Sequence, residues 1–151
     1  MTVDAKKGKA GVRSRERSIK FIRIGIIAGL VGGLGFGVVM LATDMLPMVG
    51  MLIRQNNATI GFVVHMLISA FFGSIFGAVM GAMTEQRPIA TLLIGAGYGL
   101  FWWVLGGLIL MPLLLGMPES ILVIQQMQMY SLVGHIIYGV AVGAVINLVA
   151  T

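Results

Sequence analysis

The chain has 151 residues, of which 58% are hydrophobic and only 10% charged, and its formal net charge is +5. A soluble domain carries about 25% charged residues, so this composition cannot clothe a water-facing surface and excludes a soluble enzyme or binding module. The 22 glycines agree with membrane helices, and the absence of cysteine excludes disulfides, thiolate metal sites, iron–sulfur clusters and cysteine nucleophiles.

Residues 1–20 carry Lys6, Lys7, Lys9, Arg13, Arg15, Arg17 and Lys20 against Asp4 and Glu16, with no apolar run. This composition predicts a disordered basic tail. Its expected partner is anionic lipid, each base contributing about 1 kcal/mol near the surface. A docking arm for a protein or nucleic acid is the competing reading. No aromatic residue interleaves the bases as a stacking surface would require, so no nucleic acid is expected.

Four apolar stretches follow, at about 21–42, 59–83, 89–115 and 129–150. Each reaches the roughly 20 residues needed to cross a ~30 Å hydrocarbon core, and the first is too long for a signal-peptide core. The expected fold is therefore all-α, a four-span bundle over residues 21–151. Nine of the ten basic residues, Arg23 and Arg87 among them, fall on one side and only Arg54 on the other. The excess of bases on the cytoplasmic side places both termini and the 84–88 turn there, in an inner membrane, with loops 43–58 and 116–128 outside.

Compared with itself, the chain shows a repeat of two spans. Met45-Leu-Pro47-Met48-Val-Gly50-Met51 resembles Leu110-Met111-Pro112-Leu-Leu-Leu-Gly116-Met117. The prolines lie 65 positions apart and the only histidines, His65 and His135, lie 70 apart, which predicts a second outer loop about five residues longer. Two spans per unit give both units the same polarity, hence a parallel repeat about an axis along the membrane normal. Every span also carries small residues at intervals of four. Gly25, Gly29, Gly33 and Gly37 lie on the first, and Gly61, His65, Ser69, Gly73, Gly77 and Gly81 on the second. Gly95, Gly99, Trp103 and Gly107 lie on the third, and Ser131, His135, Gly139, Gly143 and Asn147 on the fourth. Residues at i and i+4 share a helix face, and bare ridges let backbones approach closely, so a glycine-zipper bundle is expected.

The two histidines lie on those ridges, some 9–10 Å below the outer edge at 1.5 Å per residue. An ionisable residue inside a membrane is a functional candidate by default, although a neutral imidazole can also simply bond a neighbouring carbonyl. Three functions compete with that packing role. His65 and His135 match in depth as the axial ligands of a haem b in an electron-transfer subunit would. With Asp44 they form a candidate ligand or proton site in a small transport or accessory component. With Met45, Met48 and Met51 they form a candidate soft-metal site. A purely structural subunit of a larger membrane complex, or a homo-oligomer joined through its glycine ridges, is the remaining reading. Trp103 is expected to fill the bundle and Asn147 to join two helices. No phosphate-binding loop, nucleophile elbow, zincin motif or carboxylate pair is present, so the chain is not expected to be an enzyme.

The segments Gly61-Phe-Val-Val-His65, Gly99-Leu-Phe-Trp102-Trp103, Met111-Pro112-Leu-Leu-Leu-Gly116 and His135-Ile-Ile-Tyr138-Gly139-Val-Ala-Val-Gly143 resemble a family of small four-span bacterial and archaeal membrane proteins. Some members are called YagU-like and others carry a histidine-kinase label. The resemblance spans roughly residues 25–148 and implies a four-span inner-membrane protein without an assigned activity. Four spans leave no room for a kinase domain.

Overall fold

A computed structural model describes residues 3–83 and 87–150, and among these it is all-helical. Helix α1 spans Val3–Ala42, the short α2 Leu46–Gly50, α3 Ala58–Ala82 and α4 Pro88–Trp102. A π-helical segment, Trp103–Leu110, continues α4 into α5, Met111–Leu114, and α6 spans Gln126–Ala150. Four stretches, Ser14–Ala42, Ala58–Ala82, Pro88–Leu114 and Gln126–Val149, are long and apolar enough to cross a membrane. By length and composition the chain is a multi-pass membrane protein.

Two expectations are corrected. The basic segment expected to be a disordered tail is the first part of α1, which runs unbroken for 40 residues. Its alanines, lysines and arginines are good helix formers and it contains no proline, so a helix nucleated in the apolar span extends back through it. The Arg17 guanidinium donates to the Met83 carbonyl just beyond α3, tying this extension to the neighbouring span. The third span is not one regular α-helix. Beyond the indoles of Trp102 and Trp103 it widens into π turns around Gly106 and Gly107, whose missing side chains offer little resistance. Pro112 has no N–H for the Leu108 carbonyl, which accepts from the Leu122 N–H at 3.0 Å. The 84–88 turn falls mainly on residues outside the described ones.

Helix starts follow local chemistry. Asn57 caps α3 by accepting the Ile60 N–H at 3.0 Å, and Pro88 opens α4, where a missing N–H costs nothing. In the interior α1 packs on both α3 and α6, and α4 packs on α6. The contacts between these helices are backbone on backbone. A methyl built on Gly25 would stand 2.9 Å from the Gly77 Cα, and one on Gly29 would stand 2.9 Å from the Gly73 Cα. The α4–α6 seam repeats this, with a methyl on Gly139 meeting the Gly99 nitrogen at 2.9 Å and one on Gly143 meeting the Thr91 carbonyl oxygen at 2.8 Å. Gly33 and Gly37 instead face side chains, of Ser69 and Phe62. The Asn147 amide adds a bond from α6 to the Pro88 carbonyl at 2.9 Å. Helices α3 and α4 are joined differently, through aromatic side chains. Phe72 and Trp102 lie 3.9 Å apart between ring centroids and Phe76 and Tyr98 5.0 Å, while the Tyr98 hydroxyl donates to the Phe72 carbonyl at 2.8 Å.

Candidate functional site at the two histidines

His65 lies on the buried face of α3, and its Nε2 is 2.9 Å from the Gly33 carbonyl of α1. A carbonyl only accepts, so in the neutral ring Nε2 carries the proton and Nδ1 the lone pair. His135, on α6, is set the other way. Its Nδ1 is 2.8 Å from the Ser131 carbonyl one turn earlier, so Nδ1 donates and Nε2 is the bare nitrogen. The Ser131 hydroxyl lies 3.3 Å from the same Nδ1. Each imidazole is thus oriented by one backbone bond and keeps one lone pair without a donor among the described residues.

Phe36 of α1 stands between the two imidazoles. Its ring centroid is 5.1 Å from that of His65, edge-on at 85°, and 4.7 Å from that of His135, tilted by 57°. This position depends on Gly134, because a side chain there would run into the phenyl ring. The arrangement does not fit a bis-histidine haem. The macrocycle would need the gap that Phe36 fills, and His65 spends its Nε2 on Gly33.

Both histidines line one chamber of about 280 Å³. It lies toward the end of the bundle that carries α2 and α5. Phe36 and Met40 of α1 form one wall, Met45 and Met48 of the first corner another, and Phe72 and Trp102 a third. Gly106, Gly107 and Met111 follow from the third span, with Met127 and Tyr138 from α6. Among the described residues no carboxylate lines it. The Tyr138 hydroxyl donates to the Ser69 carbonyl at 2.7 Å and the Trp103 indole to the Gln128 carbonyl at 2.9 Å, so these donors are already committed. The Trp102 indole N–H is buried without an acceptor among the described residues.

The chamber thus gathers His65, His135, Met45 and Met48 of the residues singled out from the sequence. It does not gather Asp44, which is exposed in the first corner with φ at 53°, nor Met51, which is exposed on a 3-10 turn. Among the described residues no three His, Cys, Asp or Glu side chains cluster to hold a metal. Sequence reasoning, which had placed Met40 with the methionines of the first corner, missed Phe36, Met111 and Met127. A signal was present, because Ala28, Gly32, Phe36 and Met40 form a second i, i+4 row on α1, one residue behind the glycine ridge. Trp103 is buried in the bundle as its place on the ridge suggested. Comparison with protein-family models, with curated proteins and with solved structures found no match to this chain.

Proposed function

We propose that this chain is a small transport or accessory component of the cell inner membrane that holds a small guest in the chamber between its two halves. It acts without catalysing a reaction, with both termini cytoplasmic and the chamber in the outer half. The observation that carries this reading is the pair of oppositely oriented imidazoles on the wall of one cavity, each with one nitrogen that has no donor among the described residues. The buried polar atom without a partner among the described residues, the Trp102 indole nitrogen, belongs to a residue of the same wall, and a concave apolar site with a few polar groups is what a guest requires.

A parallel duplication supports the same reading and accounts for the void. A shift of 70 relates Gly25, Gly29 and Gly37 to Gly95, Gly99 and Gly107, Gly73 to Gly143, and His65 to His135. Under that shift the two seams between the halves should be equivalent. On one, Gly32 of α1 faces Tyr138 and Val142 of α6 so closely that a methyl would lie 3.0 Å from the tyrosine ring. On the other, Ala28 and Gly32 are replaced by Tyr98 and Trp102, which stack on Phe72 and Phe76. Small residues close one seam, and bulky rings prop the other open beside the chamber. The resemblance to YagU-like proteins belongs to the same proposal.

The experiment uses the only tryptophans as reporters, Trp102 on the chamber wall and Trp103 next to it in the chain. Bromobenzene added to the protein in nanodiscs should quench their emission saturably. In Gly106→Leu, where a Cβ meets nothing nearer than 3.8 Å and the longer side chain fills the chamber, quenching should become linear, as for simple partitioning into lipid. Linear quenching in both proteins refutes a guest site.

A further inference from the structure

We propose that the guest is a soft monovalent cation, Cu(I) or its analogue Ag(I), held by methionine thioethers and the free imidazole nitrogens. The inference rests on the reading of the chamber as a guest site and names what that site takes.

The chamber wall discriminates among guests by its chemistry. Hard divalent cations need oxygen ligands, and among the described residues no carboxylate lines the cavity. An anion would meet no positive charge there: among the described residues the wall has no Lys or Arg, the Tyr138 hydroxyl is spent on the Ser69 carbonyl, and the Trp102 indole N–H, Ser131 and Gln128 are neutral. The wall is richest in soft ligands. Met40, Met45 and Met48 reach the cavity from the first corner and Met111 and Met127 from the second. Five of the 12 methionines of the chain therefore border one cavity, with the imidazoles of His65 and His135 among them. Thioether and imidazole ligands select Cu(I) among biological cations. Methionine is also a compliant filler of irregular cores, but fillers close space, and these five border a cavity of about 280 Å³. Their unbranched side chains have the freedom to converge on an ion, and the faces of Phe36, Phe72 and Trp102 add attraction for positive charge. A neutral apolar guest would leave both imidazole lone pairs unused, whereas a soft cation uses them together with the thioethers. The ligands come from both halves of the chain, so the site exists only when the halves are assembled.

The test uses silver nitrate as a redox-inert probe, dialysed to equilibrium against the full-length protein in nanodiscs, with bound metal measured by atomic absorption. The wild type should bind one Ag(I) per chain saturably. The triple variant Met45→Leu, Met48→Leu, Met111→Leu conserves side-chain volume, and its bromobenzene quenching should stay saturable while Ag(I) affinity falls at least about tenfold. Met51→Leu, outside the chamber, should bind as the wild type does. Saturable quenching without stoichiometric Ag(I) binding, or Ag(I) binding unchanged in the triple variant, overturns this inference and leaves the guest chamber standing. Loss of both saturable quenching and Ag(I) binding overturns the two together.

Discussion

The phenyl ring of Phe36 rests on the bare backbone of Gly134, and a Cβ at that position would sit 2.8 Å from the ring's Cγ. One missing side chain on α6 thereby fixes the ring that spaces the two imidazoles. Gly134→Ala should displace Phe36, disturb His65 and His135 together, and cost about 1–3 kcal/mol through overpacking. Thermal unfolding in detergent measures the cost. A variant as stable as the wild type would show that the ring is not held where it stands.

The glycines differ sharply in what surrounds them, which allows a paired comparison. Gly29→Leu forces a side chain into the α3 backbone and should prevent stable folding of the bundle. Gly97→Ala adds a methyl with nothing within 4 Å and should leave stability unchanged or raise it by about 0.5–1 kcal/mol. Equal unfolding midpoints for the two variants would refute close backbone contact between α1 and α3.

The histidines should also separate by stability. His65 bonds across helices to Gly33, whereas His135 bonds within its own helix to Ser131. Bonds between membrane helices contribute about 0.6–2 kcal/mol. His65→Ala should therefore lower the unfolding midpoint more than His135→Ala, and the reverse order would contradict the assigned partners.

Orientation can be read chemically because the chain lacks cysteine. Met117→Cys, in the exposed second corner, should react in intact cells with an impermeant maleimide. Gly11→Cys should react only after the membrane is permeabilised. The opposite pattern would invert the topology proposed from the basic residues.

The helical architecture was legible because it rests on length and apolarity, which survive any arrangement of neighbours. The spacing of His65 and His135 likewise pointed to one level of the bundle. What was not legible depended on side chains reaching across helices. Phe36 looks like one more apolar residue until Gly134 appears opposite it, and Met111 and Met127 join Met45 only when the corners fold together. Asp44 and Met51 were singled out for residue type and proximity along the chain, yet the turn geometry points that part of the corner away from the chamber. The π turns after Trp102 escaped because periodicity distinguishes poorly between helical pitches in a uniformly apolar run.

At 1.5 Å per residue the unbroken α1 is a rod about 60 Å long, twice the thickness of a bilayer core. One end bears the basic residues and is moored to the end of α3 by Arg17. Further along, the same rod supplies the Gly33 carbonyl that aims His65, and Phe36, which stands between the imidazoles. Two places far apart along the bundle are thus carried by one unbroken α-helix, without the π turns that interrupt the third span.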